Sequence, residues 1–188
     1  MTAIQTFLFV VLPYVSTVAF AIGMFWRYRY DQYGWTTRSS QMYESRLLRI
    51  GSPLFHFGIL MALGGHILGL VAPEGWTSAG GVSEHLYHVA AVTFGVIAAV
   101  MVVVGLAILI YRRRTVGRVF TVTTRMDKLM YVMLGAVVLL GVYNTVAVNL
   151  LNVTGEYPGG YNYRETVAVW FRSLFVFSQA VAHASMIP

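Results

Sequence analysis

Apolar residues in this chain gather into four long runs, at about residues 4–26, 52–72, 87–111 and 129–151, separated by shorter polar stretches. Each run reaches the roughly 20 residues that an α-helix needs to cross the hydrocarbon core of a bilayer. The pattern therefore predicts an all-α fold, an integral membrane helix bundle with four transmembrane helices in one domain and a tail over residues 152–188. Pro13 interrupts the first run and predicts a kink that neighbouring helices can accommodate. Pro53 stands near the expected first turn of the second run, where a missing N–H does little harm.

The stretches between the runs are unlike one another. The first run ends in Phe25, Trp26, Arg27, Tyr28, Arg29 and Tyr30, an aromatic and basic cluster of the kind that marks a membrane interface. The third ends sharply at Arg112, Arg113 and Arg114, which reads as a stop-transfer signal. Residues 73–86 carry two acids, no Lys or Arg, and Gly and Pro as loop punctuation. After a turn rich in Gly and Tyr between Tyr157 and Tyr163, Glu165 to Ala184 forms a shorter helical candidate. Loops one and three hold eleven of the thirteen Lys and Arg. The positive-inside rule then places both in the cytoplasm, and the N-terminus and tail outside.

Composition agrees with the pattern. Of 188 residues, 57% are hydrophobic and 11% charged, and the mean hydropathy is +0.67, well beyond a soluble domain. A net charge of +6 would ordinarily raise nucleic acid as a partner, but the basic residues sit in short loops beside apolar spans and report orientation instead. There is no cysteine, which excludes disulfides, thiol chemistry and iron–sulfur ligation within the chain. The N-terminus has no basic leader before its apolar run and is expected to be a retained span.

The second run carries the chemistry. It holds His56 and His66 with no formal charge, and intramembrane histidines usually face a bundle interior or a water-filled cleft. Ten residues of helix separate them by about 15 Å along the axis and about 80° around it. That spacing points to two separate sites at different depths rather than one metal gripped by both. Imidazole is an axial ligand of haem iron, and Gly58, Gly64, Gly65 and Gly69 would let a porphyrin or another helix approach closely. The same histidines could instead serve as hydrogen-bonding residues between helices.

With these features in hand, the chain resembles the gamma subunits of respiratory nitrate reductase, which are dihaem b cytochromes. The resemblance rests on Arg29-Tyr30-Asp31-Gln32-Tyr33-Gly34-Trp35, on Ser39-Ser40-Gln41-Met42, on Leu54-Phe55-His56-Phe57-Gly58-Ile59-Leu60 and on Gly65-His66, with Thr121 to Asp127 as a further stretch. It implies a five-helix subunit of the prokaryotic inner membrane, N-terminus outside. Such a subunit oxidises quinol, here expected to be menaquinol, near the outer face and passes electrons through two b-type haems. They go to an iron–sulfur subunit and a molybdenum subunit on the cytoplasmic side. His56 would ligate the haem nearer the cytoplasm and His66 the haem nearer the outside.

The family's fifth helix supplies a second axial ligand to each haem, and Pro188 falls about where that helix begins; truncation is the expected explanation, with ligands supplied by another polypeptide or loss of the haems as the alternatives. His183, in the tail, is no obvious substitute. Where the family keeps a quinol-holding Lys, this sequence has His85 and His88, either able to bond a quinone oxygen or take its proton, with Gly65 contributing by position. The loop around Arg29, Tyr30, Asp31, Tyr33 and Trp35 carries more aromatics and hydroxyls than orientation requires, and is expected to dock the soluble partner. The competing reading is a haem-free anchor or truncated remnant that only docks soluble subunits.

Overall fold

A computed structural model describes residues 3–32, 40–81, 83–151 and 164–176. Tyr33, Trp35 and His183 lie outside the described residues. All regular structure among the described residues is helical. Four helices are long and apolar enough to cross a membrane: α1 (Ala3–Tyr30), α2 (Arg46–Val71), a span over His85–Thr115 and a span over Arg125–Ala147. The chain divides into two compact units, Ser39–Tyr161 and Met1–Arg38 with Asn162–Pro188.

The larger unit is built on two antiparallel helices. Glycine sets how closely they approach. After α2 come a short helix α3 (Glu74–Ala79) and the 32-residue α4 (Glu84–Thr115). A Cβ placed on Gly51 would meet Ile108, on Gly58 would meet Val102 and Met101, and on Gly105 would meet the backbone of Phe55. These pairs fix the register: Gly51 opposite Ile108, Phe55 opposite Gly105, Gly58 opposite Val102. Ala98, Val102, Leu106 and Gly105 are buried in this seam. Small residues here let dispersion contacts hold two helices together where lipid removes most of the hydrophobic drive.

The chain then turns through α5 (Gly117–Thr121) into α6 (Arg125–Val142), which continues as a wider π-helical stretch, Tyr143–Leu150. Thr124 caps α6: its hydroxyl accepts the Asp127 amide at 3.1 Å while Asp127 Oδ2 accepts the Thr124 amide at 2.9 Å. This reciprocal box, with an acid in the first turn, satisfies amides that the helix itself leaves open. Thr145 of the π stretch lies against Gly95 of α4.

In the smaller unit, α1 opens with a π-helical turn, Phe7–Val11, just ahead of Pro13. In an α-helix the Phe9 carbonyl would accept from residue 13, and proline has no N–H to give. Trp170, on the short helix α7 (Val167–Ser173), supplies the donor instead. Its indole N–H reaches the Phe9 carbonyl at 2.9 Å, and its ring meets Phe9 edge to face at 5.9 Å. Tyr14 Oη adds a second tie, donating to the Leu174 carbonyl at 2.8 Å.

Apolar side chains such as Phe20, Phe94 and Leu140 are exposed at 59–69%, which water would penalise and lipid does not. Together with the four spans, this describes a multi-pass membrane protein. The helices overrun the apolar runs at their polar ends. α2 begins at Arg46, so Pro53 lies two turns inside it rather than at its start, and α4 continues through the arginine triplet. Hydrogen bonds to side chains, invisible to hydropathy, extend them.

Candidate functional site

The ends of α2 and α4 meet in a partly buried ion pair. Arg112, only 3% exposed, donates from Nε to Glu44 Oε2 at 2.6 Å, from Nη1 to Ser40 Oγ at 2.9 Å, and from Nη2 to the Ser40 and Glu44 carbonyls at 2.8 and 2.7 Å. The other carboxylate oxygen of Glu44 accepts the Leu47 amide at 2.7 Å and so caps the first turn of α2. Burial pushes the Glu44 carboxyl up, but the Leu47 amide and the bonds and charge of Arg112 together outweigh it and hold the group below its ordinary value of 4.5. A charge read from sequence as a stop signal is therefore the pin at the basic end of the helix pair. Ala98, Gly105 and Arg112 recur every seventh residue, which puts Arg112 on the helix face that packs against α2; this spacing was the signal available.

From that pin the antiparallel register gives distances along the pair. Arg112 falls level with about Leu48, so His56 lies about 12 Å and His66 about 27 Å further along α2. Both imidazoles are exposed on α2. Each is oriented by its own helix. His56 Nδ1 lies 2.7 Å from the Ser52 carbonyl, with Ser52 Oγ at 3.3 Å, and His66 Nδ1 lies 2.7 Å from the Ala62 carbonyl.

A carbonyl can only accept, so Nδ1 carries the proton in both rings. The opposite nitrogen, Nε2, then keeps its lone pair and points outward. This is the arrangement by which proteins fix the tautomer of a metal-ligating histidine. Among the described residues no three His, Cys, Asp or Glu side chains converge on one point. Isolated imidazoles of this kind suit a metal already held on its other sides, as porphyrin iron is, and not a bare ion that needs a full protein-built shell.

The glycines named from sequence divide between two uses. Gly58 is consumed by contact with α4, whereas a Cβ on Gly64 or Gly65 would meet nothing within 4 Å, leaving the backbone beside His66 open to a bulky ligand. His88 and His85, in the first turns of α4, belong to the same end of the pair as His66. By register His88 lies about 9 Å beyond the level of His66, and His85 about 13 Å beyond it. His88 is half-buried and His85 exposed.

Of the residues expected to dock a partner, Arg29, Tyr30 and Asp31 fall at the end of α1, in the smaller unit. Trp26 and Tyr30 lie ring to ring at 4.6 Å, the Arg29 guanidinium sits 5.6 Å from the Tyr30 ring, and the Asp31 amide closes the helix on the Arg27 carbonyl at 3.0 Å. Tyr28 and Tyr30 are exposed at 72% and 65%. Together they form an aromatic and basic collar on that helix end.

Comparison with known proteins addresses the family directly. The model of the nitrate reductase gamma subunit matches residues 5–188. The chain is 56% identical over 166 residues to the nitrate reductase-like protein NarX of Mycobacterium tuberculosis, an alignment covering 88% of this chain and 25% of that protein. It thus spans about a quarter of the length of that relative. It is 36% identical to the nitrate reductase gamma chain of Bacillus subtilis, covering 95% of this chain and 77% of that one. Against the respiratory nitrate reductase 2 gamma chain of Escherichia coli it is 32% identical, covering 93% and 74%. On the extent of these matches, and on four apolar helices in the expected order, the chain belongs to the nitrate reductase gamma subunit family.

Proposed function

We propose that this chain is the haem-bearing, quinol-oxidising membrane subunit of a quinol:nitrate oxidoreductase. The observation that carries the reading is the shared geometry of His56 and His66, each with Nδ1 tied to the carbonyl four residues back and Nε2 free. The donor set fits haem iron: His56 would hold one b-type haem and His66 a second, from positions about 15 Å apart along α2. Bound there, haem would supply a one-electron carrier between quinol and the soluble subunits.

The protein's own residues set direction. The excess of Lys and Arg at the Arg112 end supports, by the positive-inside rule, a cytoplasmic location for that end and an outside N-terminus. His56 then serves the inner site and His66 the outer one. Quinol oxidation yields two electrons and two protons. In this reading His88 and His85, at the His66 end, would take a hydroxyl proton and pass it outward, and Gly65, where a Cβ would meet nothing within 4 Å, would leave room for the ring. Menaquinol is the expected quinol. On the cytoplasmic side, Arg29, Tyr30 and Asp31, with Tyr33 and Trp35 of the following loop, contribute the docking surface for the iron–sulfur subunit, which in turn serves the molybdenum subunit.

The test is quinol-driven nitrate reduction in membranes that contain this chain and its soluble partners. His66→Ala and His56→Ala are expected to abolish quinol-dependent turnover while leaving nitrate reduction from an artificial soluble donor intact. His88→Gln is expected to slow quinol turnover and flatten its pH profile. Undiminished quinol-dependent turnover in both alanine variants would instead mean that the chain only anchors its partners.

A further inference from the structure

Where α4 leaves the apolar layer and α6 enters it, the two helices and α5 line a half-open cavity of about 220 Å³. Ile110, Phe120, Tyr131 and Val132 form its walls, and Arg113, Arg114 and Lys128 supply its basic groups. Arg113 is built into the wall. It bonds Tyr131 Oη and Thr123 Oγ1, each at 3.2 Å, pairs with Asp127 at 3.5 Å, and lies 5.4 Å from the Tyr131 ring centre. Its charge is thus matched by the one acid in the stretch. Lys128 is steered over the Phe120 ring at 5.5 Å, and Arg114 stands exposed beside it on the cavity lining. Two cations are left over at the mouth of an apolar hollow.

A ligand for this place must be amphiphilic and negative. A free inorganic anion would leave the apolar walls wet. A zwitterionic lipid would bring its own cation against Arg114 and Lys128. The hollow lies at the level where the two spans end at Thr115 and start at Arg125, so lipid is the abundant amphiphile there, and basic recesses between transmembrane helices are a known way to hold anionic headgroups. We propose that this cavity binds an anionic phospholipid, with its phosphate paired by Arg114 and Lys128 and its glycerol and first acyl carbons against Ile110, Phe120 and Val132.

The experiment uses the full chain purified in detergent with phosphatidylglycerol and phosphatidylcholine in equal amounts, and counts retained lipid by native mass spectrometry. Phosphatidylglycerol is expected to be retained selectively. Retention should fall about fivefold for each charge removed in Arg114→Gln with Lys128→Gln. It should also fall in Val132→Trp, which fills the hollow and leaves every charge in place. Arg118→Gln with Arg125→Gln removes the same charge away from the cavity lining and is expected to change little. Equal retention of the two lipids, an equal loss in the Arg118 and Arg125 pair, undiminished binding in Val132→Trp, or displacement of the lipid by millimolar inorganic phosphate would each overturn the assignment.

Discussion

Gly105→Ala tests the helix seam on which the histidine helix is hung. A Cβ at that position would stand 2.5 Å from the Phe55 amide nitrogen, 2.8 Å from its Cα and 2.9 Å from its Cβ, where ordinary contact begins at 3.4 Å. The obstacle is backbone, which has no rotamer to yield, so α2 and α4 must part by about 0.9 Å. Overpacking by a single carbon in a fitted interface costs about 1–3 kcal/mol, and a rigid obstacle belongs in the upper part of that range. Replacing glycine inside a helix returns about 1 kcal/mol. The net expectation is a loss of about 1–2 kcal/mol, read as equilibrium unfolding of the helical circular dichroism signal in bicelles. Gly135→Ala is the matched control, because a Cβ there meets nothing within 4 Å, and it should be neutral or stabilising by up to about 1 kcal/mol. His56 adjoins Phe55, so the parted seam should also shift that imidazole and lower occupancy of its proposed haem before that of His66. If Gly105→Ala proved as stable as Gly135→Ala, the seam described here would be wrong.

Other changes should follow from local bonds. Trp170→Phe removes the donor to the Phe9 carbonyl and should cost about 1 kcal/mol, seen as faster amide exchange over residues 167–173; in a Pro13→Ala background the restored amide should absorb most of that loss. Thr124→Ala should destabilise the chain by about 1 kcal/mol through loss of the capping box, and Thr124→Ser should recover it. Glu44 titrates below 4.5 in the folded chain, so its contribution is complete above that pH and is lost as pH falls through the lowered value. Thermal stability followed downward from pH 7 should therefore drop more steeply in the native chain than in Glu44→Gln, which should start lower and stay flatter.

Much of the architecture was legible because lipid imposes a simple code. Four apolar runs of sufficient length became four apolar helices, and an aromatic and basic cluster did close the first of them. What hydropathy could not carry was where the helices stop, since those ends depend on particular hydrogen bonds. Glu44 starts α2 six residues before its apolar run, and the arginine triplet reads as a simple boundary until Arg112 is seen folded onto Ser40 and Glu44. Gly58 likewise divides from Gly64 and Gly65 only when the neighbouring helix is present. For the histidines, spacing alone gave separate depths on one helix; the Nδ1 bonds to the Ser52 and Ala62 carbonyls, which orient both rings, required coordinates.

The most direct test of the central claim is a dithionite-reduced minus oxidised spectrum of the purified chain, with protohaem counted per polypeptide, for the native sequence, His56→Ala and His66→Ala. The expected result is a b-type spectrum with two haems in the native chain and the loss of a different one in each variant. A native spectrum without haem, or one that neither substitution alters, would contradict the assignment of these two imidazoles as ligands.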